Sequence, residues 1–303
     1  MTGPPSHHLN GNGDRDAINV DRNNNFAEYR DTDPQRNRQI QLQPNSQPLT
    51  ADQIFHADVV LAGLMKGLRT SPGGPGEMGR GVKIDPEKYA EMNKSFVINQ
   101  FNLIASDMIS LNRSLPDVRH NICKTHKFNV DKMPSTSVIF VFRNEAWSTL
   151  IRSIHSVINR SPRRLLKEII LIDDASEREF LQAPLQRYIE GLPVPTILHR
   201  MPMRSGIVKS RLVGASIASA ATMTFLDSHI EVTRGWLEPL MQRIAQNRTR
   251  VVCPVIDKIL DDTFEYVLIN TSSIGGFNWD LRFRWFIEST IHKRQQDQSL
   301  PKK

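Results

Sequence analysis

The stretch Met223-Thr-Phe-Leu-Asp-Ser-His-Ile-Glu231 decides how this chain is read. Four residues suited to a buried strand run straight into Asp227, Ser228 and His229. Side chains two apart in a strand point the same way, so a strand ending here aims the Asp227 carboxylate and the His229 imidazole together past its end. A divalent ion would sit there. An Asp closing a strand also serves as a turn residue capping the next helix, so the neighbouring segments must decide.

Outward from that stretch, strands and helices alternate. Ser137–Phe142, Glu168–Ile172 and Pro195–His199 are apolar runs of strand length, and Val251–Ile256 reads as a fifth strand after Met223–Leu226. Between them, helical spacing covers Trp147–Ile158, Phe180–Ile189, Ile207–Ala220 and Trp236–Ala245. The alternation predicts an α/β fold, a mainly parallel sheet with helices on both faces.

Ligands bind beyond the carboxyl ends of such strands. Three of them end in polar residues: Arg143-Asn-Glu145, Asp173-Asp174 and Asp227-Ser-His229. The Asp173-Asp174 pair reads as a helix cap or as an acceptor for a nucleotide's ring or ribose, and both can hold, since two adjacent residues can take different roles. Arg204-Ser-Gly-Ile-Val-Lys-Ser-Arg211 opens a helix whose start favours an anion. Gly206 permits close backbone approach there, and Arg204 offers a planar fork of donors; an ordinary solvated basic helix start explains the segment equally well. Together these residues point to a metal-bridged diphosphate. Asp oxygen and His nitrogen suit Mn²⁺, with phosphate and water completing an octahedron, and the ion would neutralise charge on a departing diphosphate. No nucleophile triad or dinucleotide glycine fingerprint competes.

The flanks are of a different character. Residues 1 to about 50 are rich in Asn, Asp, Gln, Arg and Pro, a composition that cannot offset its ordering entropy by burial. Apolar residues cluster at Val59 to Met65, and Ser71-Pro-Gly-Gly-Pro-Gly76 reads as a linker. From Pro86 a helical pattern runs through Tyr89, Met92, Phe96, Phe101, Ile104 and Met108. The expected organisation is a disordered or linker region over 1–80, a helical lead-in over 81–135, the sheet domain over 136–287 and a polar tail over 288–303.

Lys and Arg exceed Asp and Glu, 39 to 32, for a net charge of +7. The basic residues are scattered among acidic ones, which argues against a nucleic-acid partner and leaves an anionic small substrate. Two cysteines, Cys123 and Cys253, exclude a disulfide scaffold and leave one bridge or two thiols open. No window reaches the roughly 20 apolar residues of a membrane span, and the N-terminus lacks the apolar core of a leader. Asn93-Lys-Ser, Asn112-Arg-Ser and Asn247-Arg-Thr match the N-glycosylation pattern.

Read together, Phe101-Asn-Leu-Ile-Ala-Ser-Asp107, Leu111-Asn-Arg-Ser-Leu-Pro-Asp117, Asn144-Glu-Ala-Trp-Ser-Thr-Leu150, Lys167 to Asp174, Thr224 to His229, Trp236-Leu-Glu-Pro-Leu240, Arg248 to Asp257 and Ile274 to Trp279 resemble the polypeptide N-acetylgalactosaminyltransferases. The resemblance covers roughly residues 86 to 286. It implies a GT-A fold that uses UDP-N-acetylgalactosamine and Mn²⁺ to start mucin-type O-glycans on Ser and Thr of acceptor polypeptides in the Golgi. By motif, Asp174 would contact the uridine, Arg204 the donor and Ser228 the donor phosphates, with Asp227 and His229 on the metal; no catalytic residue is assigned. Two positions depart from the family pattern: Arg143 stands where the family has His, and Ile230 where Cys commonly follows. The family's later segments, including a third protein metal ligand, a loop over the donor and a lectin domain, do not occur in the 303 residues, nor does its N-terminal membrane anchor. Cys123 matches a position whose disulfide partner lies in those later segments. The expectation is therefore a truncated GT-A fold, inactive as written. The alternatives are a non-catalytic binding module and an incomplete gene model of an active transferase.

Overall fold

The computed structural model describes residues 48–66, 68, 73–269 and 273–287. The tail up to residue 47 and the polar end over 288–303 lie outside the described residues. Thr50 opens α1 (Ala51–Leu64) through a capping box in which Thr50 and Gln53 each accept the other's backbone N–H. The periodicity after Pro86 becomes two helices, α2 (Tyr89–Asn99) and α3 (Leu103–Met108). The break comes at Gln100, where a φ of 63° turns the chain left-handed and ends α2. Asn102 then caps α3 by accepting the Ala105 N–H at 3.0 Å. A short helix, α4 (Asn121–Thr125), precedes the sheet.

The sheet alternates as its sequence predicts: β1 (Thr136–Phe142), α5 (Trp147–Arg160), β2 (Leu166–Asp173), α6 (Ala183–Ile189), β3 (Thr196–Arg200), α7 (Ile207–Ile217), β4 (Thr222–Asp227) and α8 (Leu237–Gln246). The four strands are parallel in the order β3-β2-β1-β4. Strand period sorts their side chains into two cores. Val138, Phe140, Ile169 and Leu171 pack with Leu150, Ile151 and Ile154 of α5 and Leu185 of α6. On the other face Ile139, Ile170 and Ile172 meet Val213 and Ile217 of α7. Gly214 lets α7 lie close to β1, since a Cβ there would stand 2.5 Å from the Ile139 side chain. Leu237 and Met241 of α8 close a further cluster with Met133 and Leu165.

Two features differ from the sequence reading. First, β4 is an edge strand whose residues alternate between half-buried and exposed. Leu226 joins the α5 core while Met223 and Phe225 stay exposed. Second, Val251–Ile256 forms no strand, and Val251, Val255 and Ile256 are exposed. Strand propensity is realised only against a neighbouring ladder, and Pro254 has no N–H to give one. The chain instead makes two antiparallel pairs, β5 (Lys258–Ile259) with β6 (Tyr266–Val267) and β7 (Ser273–Phe277) with β8 (Phe283–Ile287).

A buried ion pair joins these parts. The Arg113 side chain is fully buried and the Glu231 side chain 5% exposed. Arg113 Nε donates to both Glu231 oxygens at 3.0 Å, Nη2 to Oε1 at 2.7 Å, and Nη1 to the Phe264 carbonyl at 2.9 Å. Loop 110–119, the segment after β4 and the β5–β6 hairpin are thereby held together. Cys123 and Cys253 are unbridged. Among the described residues no helix is long and apolar enough to cross a membrane.

Candidate functional site

Because β1 to β4 are parallel, their carboxyl ends share one rim. Beyond β1, β2 and β3 lies a cavity of about 500 Å³ whose lining includes Arg143, Asp173, Ser176, Glu177, Arg200 and Arg204. The two adjacent acids divide their tasks. Asp173 accepts the Ser176 N–H at 2.8 Å, as a turn residue does, and the Arg200 guanidinium at 2.6 Å. Asp174 is buried, and its carboxylate accepts the backbone N–H groups of Ser205 at 2.7 Å and Gly206 at 3.0 Å. Gly206, with φ of 82°, makes the turn, so Asp174 braces the loop that brings Arg204 to the cavity wall. Arg143 donates to the carbonyls of Asp174 and Ala175 and pairs with Glu177 at 2.9 Å. Three arginines therefore line this space, two of them already paired with Glu177 and Asp173.

At the end of β4, Asp227 and His229 are both well exposed, each side chain at 57%. Asp227 Oδ1 lies 3.3 Å from Arg211 Nη2, so a guanidinium already stands where the carboxylate would meet a cation. His229 Nδ1 is 3.0 Å from Glu145 Oε2, and the Ser228 hydroxyl donates to the same oxygen at 2.9 Å. Glu145 Oε1 accepts the Ala146 N–H and the Thr149 hydroxyl. Burial pushes the Glu145 carboxyl up, but the hydrogen bond and charge of His229, with the Ala146 and Ser228 bonds, outweigh it and hold the group below its ordinary value. The same hydrogen bond raises His229 against its own burial, and the Glu145 and Asp227 charges add to the effect.

The segment after β4 is gripped by α5. Ser153 Oγ donates to the Ser228 carbonyl at 3.0 Å and accepts the Ile230 N–H at 2.9 Å, while Ser156 Oγ accepts the Val232 N–H. One carboxylate oxygen and one imidazole nitrogen form a donor pair that Mn²⁺ accepts readily. Among the described residues no group of three or more His, Cys, Asp or Glu side chains is placed to hold a metal. Asp227 and His229 supply two protein ligands of suitable chemistry at most, so an ion there would need its remaining ligands from phosphate and water. Sequence placed Glu145 at a polar strand end, in Arg143-Asn-Glu145, but gave it no role, because its contacts reach 83 and 84 residues along the chain.

Comparison with known proteins bears on this arrangement. The glycosyl transferase family 2 profile matches residues 137–301. Polypeptide N-acetylgalactosaminyltransferase 13 of Homo sapiens is 54% identical over 230 residues, covering 75% of this chain and 41% of the relative. Polypeptide N-acetylgalactosaminyltransferase 3 of Drosophila melanogaster is 53% identical over 222 residues, covering 73% and 33%. The crystal structure of GalNAc-T7 with UDP, GalNAc and Mn²⁺ matches with a TM-score of 0.67 at 35% identity, over 75% of this chain and 44% of that one. The chain thus spans less than half the length of these relatives. Its parallel sheet with helices on both faces is the GT-A arrangement that the motifs imply. By profile and by fold, the chain belongs to glycosyl transferase family 2, and the relatives it matches there are polypeptide N-acetylgalactosaminyltransferases.

Proposed function

We propose that this chain provides the donor-nucleotide and metal-binding part of a polypeptide N-acetylgalactosaminyltransferase, taking UDP-N-acetylgalactosamine as donor and Ser or Thr of a polypeptide as acceptor. The observation that carries the reading is the shared rim: an arginine-lined cavity beyond β1 to β3 and an exposed carboxylate and imidazole at the end of β4. Arg204 meets the anionic donor from the cavity wall. Asp174 serves the nucleotide side by fixing the Ser205–Gly206 turn, and Ser228 stands beside the donor phosphates between the two metal ligands. Asp227 and His229 would hold Mn²⁺, which when bound would neutralise the charge that grows on the diphosphate as the glycosyl group leaves. The family resemblance supports a Golgi setting for the reaction.

Titration calorimetry of the full chain with UDP, with and without Mn²⁺, tests this. The expected result is UDP binding that strengthens with Mn²⁺ in the wild type and loses that dependence in Asp227→Asn and His229→Ala. Wild-type protein showing no Mn²⁺-dependent heat overturns the proposal. Transfer of N-acetylgalactosamine to a Thr-rich peptide, measured separately, reports whether the chain also completes the reaction.

A further inference from the structure

One acid on this rim carries several contacts and no role in the motif reading. Glu145, 12% exposed, sits where β1 hands over to α5 and receives four hydrogen bonds. Ala146 N–H and the Thr149 hydroxyl approach Oε1 at 2.9 and 3.2 Å. The Ser228 hydroxyl and His229 Nδ1 approach Oε2 at 2.9 and 3.0 Å. An ionised carboxylate only accepts hydrogen bonds. Facing an acceptor-only carboxylate oxygen at 3.0 Å, Nδ1 of His229 must carry the hydrogen, and the lone pair of the neutral ring is left on Nε2.

We propose that Glu145 is the positioning residue of this metal site, fixing the tautomer and direction of His229 so that Nε2 faces the ion. The inference rests on the metal reading of Asp227 and His229. Both donors on Oε2 come from the Asp-Ser-His segment, so one oxygen fixes two consecutive residues, including the residue between the two ligands. Glu145 in turn cannot swing away, because Oε1 is tied to the first turn of α5. That helix also grips the Ser228 carbonyl and the Ile230 N–H through Ser153. A solvent-exposed His–Glu pair would leave the ring free to turn. Here the carboxylate is buried and the imidazole projects outward from it, with no protein partner on Nε2 among the described residues. Metal-bound histidines are commonly oriented this way, by a carboxylate on the other ring nitrogen, and losing that partner costs about 10–100-fold in metal affinity.

Two measurements on the full chain test the role. Electron paramagnetic resonance titration of Mn²⁺ in the presence of UDP should show affinity about 10–100-fold weaker in Glu145→Gln than in wild type. UDP affinity without metal should change far less than Mn²⁺ affinity, which separates metal positioning from general loss of structure, while the thermal midpoint should fall because the amide leaves buried donors unpaired. Nitrogen-15 NMR of the histidine rings, in the absence of metal and with the ring neutral, should show His229 as the Nδ1–H tautomer in wild type and as a mixture in the variant. Should Glu145→Gln fail to fold, Glu145→Asp draws the carboxylate back by one methylene and should give the same two changes. Mn²⁺ affinity within about twofold of wild type in a folded variant overturns the inference alone, as does a His229 ring that keeps its tautomer. Wild-type protein that binds no Mn²⁺ with UDP overturns the metal reading and this inference with it.

Discussion

Replacing Arg113 by Met removes the guanidinium and keeps much of the side-chain volume. Glu231 is then left 95% shielded without its bidentate partner, and the Phe264 carbonyl loses its donor. Breaking a buried pair in this one-sided way costs about 3–5 kcal/mol. Arg152 and Arg160 are close enough to feel the Glu231 charge, which places the expected cost near the lower end, about 3 kcal/mol. Whole-domain stabilities are about 5–15 kcal/mol, so this one substitution takes a large share. With a urea slope of about 2 kcal/mol/M, the unfolding midpoint should fall by about 1.5 M with an unchanged slope. The double variant Arg113→Met with Glu231→Leu should recover most of the loss, because the cost lies in the orphaned charge and not in the missing attraction. A single variant costing under about 1 kcal/mol, or a double variant no more stable than the single, would refute this reasoning.

Two further outcomes follow from the same geometry. Arg211→Ala removes the guanidinium that competes for Asp227, and an exposed pair of this kind is worth about 0.2–1 kcal/mol. Mn²⁺ affinity in the presence of UDP should therefore rise by up to about fivefold, read by calorimetry; a fall would show that Arg211 assists the ion. Burial lowers the His155 imidazole from its ordinary 6.5, as it does His199. The unfolded chain then binds more protons than the folded one, so their contribution is fully present above pH 6.5 and is lost as pH falls through the lowered values. His229, which is raised, works in the opposite sense. Urea midpoints measured from about pH 7 down to about pH 5 should fall less steeply in His155→Gln than in wild type, and equal slopes would remove His155 from the account.

The central four strands could be read from sequence because each is an apolar run whose partners are supplied by the same alternation that predicts it. Val251–Ile256 has the same composition and no ladder to join, so a local preference went unrealised. The helical pattern after Pro86 was legible as a helix but not as two, since the left-handed turn falls on Gln100, a residue with no strong preference for it. At the site, sequence located Asp227 and His229 at a strand's end, but β4 stops at Asp227 and His229 lies in the turn that follows, so strand period does not set the direction of its ring. The division of labour between Asp173 and Asp174 was not legible, because it depends on Arg200 and on a turn some 30 residues away. The role of Glu145 was hidden for the same reason: it exists only once β1 and β4 lie side by side.

One helix serves two masters in this molecule. Leu150, Ile151 and Ile154 of α5 fill the interior, while Thr149 of the same two turns holds Glu145 and Ser153 holds the loop after β4. Any repacking that rolls α5 by a fraction of a turn would misalign the rim before it unfolded anything. Efforts to make the protein more robust therefore have their safest ground at positions that touch neither the packed side nor the rim side of α5.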